Sequence, residues 1–363
     1  MTMQWNPSPE QNRETSRTPV PLSRLAAFIK GGALASGLGM AALASAGVQA
    51  DTWRFALEEV SGSVQDAYAQ EFKKRIEEAS GGDIDVEIYP YGALGTSSQL
   101  TELVQSDAIQ LTFASPGHLA SVIPESGVFT LHFLFSDDNA VNEEVLGNSK
   151  AIDMLSEAYT EQNLQLLGVI PEGWMVWTGN RDIKTPEDME GFKIRTMTSP
   201  ILVESYRGYG ANPTPMPYSE VYSGLQLGQI DGQVNPVFAI QEMSFYEVQD
   251  YMIQAKQAQF ITTLVASSDF YSGLDDEQQQ MLDKVTNEMR PYIFEKQEEY
   301  NADRLQKIKE DSDIEIITLT DEQREAFRPV GEKGWEVYRE QSGERGSKIL
   351  DTLQADIKAA EGK

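Results

Sequence analysis

Strand–helix–strand alternation constrains this chain most. Residues 53–57 (WRFAL) alternate in polarity, Ala69, Phe72, Ile76 and Ala79 share one helical stripe, and Ile84, Val86 and Ile88 alternate again. Gly81-Gly82 stops the helix between them. A second helix marked by Leu100, Leu103 and Val104 leads into a strand carrying Ile109, Leu111 and Phe113. Strands joined in this way pack as a parallel sheet with right-handed crossovers, which places the chain in the α/β class.

A second unit of the same kind follows. Leu164–Ile170 and Trp174–Thr178 read as two strands, and Thr185-Pro186-Glu187-Asp188 as a capped helix start. Lys193–Met197 is a predicted strand, Tyr218-Ser219-Glu220 opens a helix to about Gly228, and Ile230–Asn235 is the next strand. Residues 259–267 form one more β-prone run. From Asp275 to Asp311 the pattern is helical with Pro291 as the expected kink, and Leu350, Leu353 and Ile357 form a C-terminal helical stripe. With no low-complexity linker and no repeat, two lobes must be joined by strands and the long helix.

The first fifty residues have the pattern of an export signal. Arg24 and Lys30 flank a short apolar core, Gly31–Leu43, and Val48-Gln49-Ala50 offers the small residues at which signal peptidase cuts. Such a core is too short for a bilayer, which takes ~20 apolar residues. No twin arginine precedes it, so the general secretory route is expected, with cleavage near Ala50 and a periplasmic mature protein.

The formal net charge of −28 repels nucleic acid and anionic lipid. It suits a protein kept soluble in high salt, where screening removes self-repulsion, so a moderately halophilic source is expected. The absence of cysteine excludes disulfides, thiol catalysis and cysteine-bound zinc, and two histidines, His118 and His132, leave little for acid–base chemistry. The fingerprint-like Gly37-Leu38-Gly39-Met40-Ala41-Ala42 lies inside the export segment and follows no strand. Asp137-Asp138-Asn139 lacks the spaced ligands of a calcium loop. No Walker loop, nucleophile elbow or paired histidine ligands occur, so no enzyme, metal or cofactor is expected.

The informative residues lie at the carboxyl ends of predicted strands, where open α/β sheets hold their ligands. Ser115-Pro116-Gly117-His118 follows one strand. Arg195 sits within another and offers a planar fork of donors to a carboxylate, although a structural ion pair fits the local pattern equally. Asn235 ends a third before Pro236, as a donor to ligand oxygen or as an ordinary turn residue.

The run Glu220–Pro236 (EVYSGLQLGQIDGQVNP) resembles the motif of TRAP-transporter extracytoplasmic solute-binding proteins, the DctP-type family. Thr185–Arg195 (TPEDMEGFKIR) is similar to the same family's preceding block. The resemblance spans essentially the whole mature chain. It implies a two-lobed periplasmic binding protein fold, each lobe a mixed, mostly parallel sheet flanked by helices, with a long helix linking the lobes. Residues 51–173 plus 262–300 are expected in lobe I, and 174–261 plus 301–363 in lobe II. The lobes close on a small-molecule solute and deliver it to a TRAP membrane permease driven by an ion gradient. By the same resemblance Arg195 clamps a ligand carboxylate and Asn235 assists.

Met175 stands where many family members place a second arginine, which argues for a ligand with a single carboxylate. Glu58 and Glu59 follow the first strand, and Glu59 is expected to meet a cationic or N–H-bearing end. His118, Trp174, Tyr218 and Phe238 are expected as aromatic walls, against plain core packing as the alternative. Asp51–Glu59, Ser115-Pro116-Gly117 and Ile194–Thr198 are similar to the ectoine-binding branch, which carries larger aromatics where this chain has His118 and Tyr218. The expected ligand is a small, ectoine-like zwitterion. A plain organic acid, or a small amine held by Glu59 and the aromatics, remains the alternative within the family, and a secreted hydrolase the alternative outside it.

Overall fold

Sixteen consecutive residues, Leu164–Gly179, form one strand where the sequence predicts two. The expected break at residues 171–173 is a register shift between Pro171 and Gly173, a bulge that bends the ladder without ending it. This strand organises the computed structural model, which describes residues 50–362. The export segment read at residues 1–50 lies, but for its last residue, outside the described residues.

In chain order the strands are β1 (Asp51–Ala56), β2 (Ile84–Tyr89), β3 (Leu111–Ala114), β4 (Leu164–Gly179), β5 (Ile194–Thr196), β6 (Thr214–Pro215), β7 (Gly232–Pro236), β8 (Tyr251–Gln254), β9 (Gln259–Ser267) and β10 (Glu315–Thr318). They join in the order β2-β1-β3-β9-β4-β7-β5-β6, with β8 pairing β4 and β10. The first three strands are mutually parallel and β9 is antiparallel to both β3 and β4. Residues 164–174 of β4 pair with β9, whereas residues 175–179 pair with β7, and 177–179 also with β8. One strand thus belongs to both halves of the fold.

Local sequence explains the elements. Ser63 caps the helix Val64–Ala79 by accepting from the Asp66 N–H, and Tyr68, Ala69, Phe72 and Ile76 bury one face against the first half. In the second half, Met175 and Trp177 enter one core and Val176 enters another, as the two-residue period of a strand requires. The long helical stretch divides into Asp276–Glu288 and Arg290–Asp311. Pro291 lies in the first turn of the second helix, where its missing N–H leaves no helical bond unmade. The helix predicted from Thr185 is a single turn, Pro186–Met189, closed by the left-handed Gly191.

The C-terminal helix Lys333–Glu361 buries Ile349, Leu350, Leu353 and Ile357 with the strands of the first half. Near its start it meets the second half, since a Cβ on Gly334 would stand 2.2 Å from Ser205 Oγ on the helix Pro200–Gly208. Among the described residues no helix is long and apolar enough to cross a membrane.

Candidate functional site

Arg195 occupies the middle of β5 and is 1% exposed. Its Nε and Nη2 both donate to the Met216 carbonyl, at 3.0 and 2.9 Å, which fixes the plane of the guanidinium. Nη1 is buried and meets no acceptor. Burial lowers the group to about 10, still charged at neutral pH. Among the described residues no carboxylate pairs with it, so a structural ion pair within them is not what holds this arginine.

The guanidinium lines a cavity with Glu58, Glu59, Gln65, Ser115, His118 and Tyr218, and with Asn235 at the end of β7. The cavity holds about 30 Å³, room for a water or two. Its walls come from both halves and touch across it. His118 Nδ1 is 3.0 Å from Thr198 Oγ1, the Ser199 N–H donates to Gly117 O at 2.8 Å, and the Ser219 N–H donates to the Tyr91 hydroxyl at 3.2 Å. The rings of Tyr91 and Tyr218 meet edge to face at 5.7 Å.

The acidic wall is deeply buried. Glu58 and Glu59 are each 6% exposed, and both line the cavity. Glu58 accepts from the Ser115 N–H at 2.9 Å, yet burial pushes its carboxyl up to about 8. Glu59 accepts from the Gln65 N–H at 3.2 Å and is also raised by burial. Burial, and next the Arg195 charge, hold the His118 imidazole neutral down to about 3, so at neutral pH it acts as a polar aromatic face.

Five of the seven expected site residues therefore meet: Arg195, Asn235, Glu59, His118 and Tyr218. Trp174 and Phe238 do not line this cavity. Phe238 is fully buried in the first-half core, and the next residue of its helix, Ala239, faces the cavity instead. Trp174 lies beside the bulge of β4 and lines a separate cavity of about 460 Å³, with Lys256 Nζ 5.8 Å from its ring centroid. Trp174 follows the bulge inside β4 and Phe238 lies in a first helical turn, and the facing of a ring in either place is not written in local pattern. Met175, aligned with a second family arginine, is buried and absent from the cavity lining.

Sequence reasoning missed Gln65, Ser97, Met197 and Phe260 in the lining, and behind it Glu172, which is fully buried. The signal for Glu172 was available: it is the single acid in the apolar run Leu164–Thr178.

The bacterial extracellular solute-binding protein family 7 (DctP) model matches residues 55–341. The ectoine-binding periplasmic protein TeaA of Halomonas elongata is 39% identical over 92% of this chain and 96% of its own. The ectoine/5-hydroxyectoine-binding periplasmic protein UehA of Ruegeria pomeroyi is 38% identical over 92% and 97%. A solved structure of the Halomonas elongata ectoine-binding protein superposes with a TM-score of 0.82 at 40% identity, covering 85% of this chain and all of that one. A TRAP periplasmic solute-binding protein from Marinobacter aquaeolei, in an apo open structure, gives 0.80 at 43% identity, covering 84% and 99%. The α/β architecture with two lobes and a long helix is shared with these structures, and the chain belongs to the DctP family of bacterial extracellular solute-binding proteins.

Proposed function

We propose that the protein is the periplasmic solute-binding component of a TRAP transporter, and that its ligand is a small ectoine-like zwitterion with one carboxylate. One observation carries this reading: a buried arginine keeps one nitrogen unpaired beside a cavity that the Glu58 and Glu59 carboxyl groups also line. An unpaired buried donor is unfavourable by roughly 1–3 kcal/mol, more for a charged group, and a ligand carboxylate removes that penalty. In this reading Arg195 takes the carboxylate, Asn235 adds a second donor, Glu59 meets the nitrogen end, and His118 and Tyr218 supply aromatic faces. The two relatives named for ectoine support the same ligand class. The protein captures its solute unchanged and hands it to the membrane permease.

With room for a water or two, the cavity admits an organic solute only when its walls part. Binding then works by shifting an open–closed equilibrium, because only the closed form contacts the guest from both sides. The lobes in this reading are 51–173 with 262–300, and 174–261 with 301–363, the last helix lying against both. Export through the general secretory route with cleavage near Ala50, and a saline habitat, complete the proposal.

The test is a thermal-shift screen followed by calorimetry with ectoine, 5-hydroxyectoine, succinate and ethanolamine. A tight binder raises apparent stability by about 2.7 kcal/mol at a hundredfold excess over Kd. Stabilisation by ectoine alone or with its hydroxylated form supports the reading. Stabilisation by succinate or ethanolamine in preference to ectoine removes the zwitterion assignment.

A further inference from the structure

Behind the cavity wall stands a carboxyl group to which the proposed function gives no task. Glu172 is fully buried at the bulge of β4. On one side its backbone is pinned: Asn301 Nδ2, from the long helix, donates to Glu172 O at 2.8 Å, while Asn301 Oδ1 accepts from the Phe238 N–H at 3.2 Å. On the other side its carboxyl reaches the cavity wall, where Gln65 Nε2 donates to Glu172 Oε1 at 3.1 Å. The same glutamine holds both cavity acids, since its N–H donates to Glu59 Oε2 at 3.2 Å and its Oε1 accepts from the Glu58 N–H at 2.9 Å.

Glu172 Oε2 is buried and, among the described residues, receives no N–H or O–H. Burial, then the Glu59 charge, holds the Glu172 carboxyl well above the usual carboxylate range, and burial raises Glu59 as well.

We propose that Glu172 is a positioning residue for solute recognition: as the acceptor that holds Gln65 Nε2, it sets the glutamine whose N–H fixes the Glu59 carboxyl at the cavity, and so ties Glu59 to the strand crossing between the lobes. The proposal rests on the reading that Glu59 meets the nitrogen end of the solute. An unsupported Glu59 is free to turn away, and the site then loses its preference for a nitrogen-bearing guest.

The test is the affinity ratio between ectoine and cyclohexanecarboxylate, a ring acid without nitrogen, by competition calorimetry. Glu172→Gln keeps an acceptor for Gln65 Nε2 at the same place and should hold the ratio within about threefold of wild type. Glu172→Leu should lower the ratio about tenfold or more while leaving the plain acid bound as before. Gln65→Met, away from the strand crossing, should lower it in the same direction and serves if Glu172→Leu does not fold. Equal weakening of both ligands in Glu172→Leu and Gln65→Met, or an unchanged ratio, overturns the positioning role. A Glu59→Gln protein with the wild-type ratio overturns the ligand reading itself, and the positioning role with it.

Discussion

Arg195 and Met216 are joined by two hydrogen bonds from one guanidinium to one carbonyl, at 3.0 and 2.9 Å. That clamp consumes two of the three nitrogens and leaves Nη1 as the buried donor without a partner. Lysine cannot reproduce this arrangement, because its point charge carries no fork that serves a carbonyl and a ligand together. Arg195→Ala is expected to weaken binding of the carboxylate-bearing solute by about 2–5 kcal/mol. Arg195→Lys should recover only a small part of that loss. Calorimetry with folded, monodisperse variants reads both.

Glu58 and Glu242 are each raised to about 8 by burial. A group raised in the folded state binds more protons there than in the unfolded chain. Stability is then greatest below the unfolded value near 4.5 and falls as pH rises toward 8, at up to about 1.4 kcal/mol per pH unit for each group. Thermal melts of the solute-free protein should drop from pH 5 to pH 8. Glu58→Gln and Glu242→Gln should each flatten that slope.

Gly173 holds φ at +125°, and a Cβ there would stand 2.4 Å from Asn301 Nδ2. Gly173→Ala therefore meets both backbone strain and the side chain that pins Glu172 O. A loss of roughly 2–4 kcal/mol in denaturant unfolding is expected, larger than for Gly→Ala at the open turn of Gly191.

His118, which lines the cavity, forms a hydrogen bond with Thr198, Nδ1 to Oγ1, at 3.0 Å. Thr198→Val removes it with little change in shape. Closed-state stability should fall by about 0.5–1.5 kcal/mol, read as a severalfold weaker affinity and a larger radius of gyration at subsaturating solute in X-ray scattering.

With a net charge of −28, self-repulsion opposes the folded state at low ionic strength. Raising salt toward 1 M shortens the screening length to about 3 Å and should raise the melting temperature. A melting temperature unchanged by salt would remove the saline-habitat proposal.

Legibility followed locality. The β-prone run at residues 259–267 is β9 to the residue, because its alternation and flanks are local facts. Arg195 stood out as a charge inside a strand suited to burial, and Asn235 as an amide held at a strand end by Pro236. Continuity through Pro171–Gly173 was illegible because the pairing with β9 that carries β4 across the bulge comes from ninety residues further along the chain. Trp174 and Phe238 fall outside the lining of the Arg195 cavity for a related reason: type and position in sequence are local, whereas the side of a bulge or helix turn that meets a cavity is set by packing. Glu172 was legible as the single acid in the apolar run Leu164–Thr178, whereas its place behind the cavity wall, set by Gln65 107 residues earlier, was not.

The passage of β4 from one half of the fold into the other gives this receptor a mechanical character. A strand held by ladder bonds on both sides of the crossing resists stretching and shear but yields to twist. In the open–closed cycle proposed above, the motion would then follow a narrow arc, with the same two outlines on every turn. A membrane partner that discriminates those outlines would need no contact with the cargo to sense whether the carrier is full.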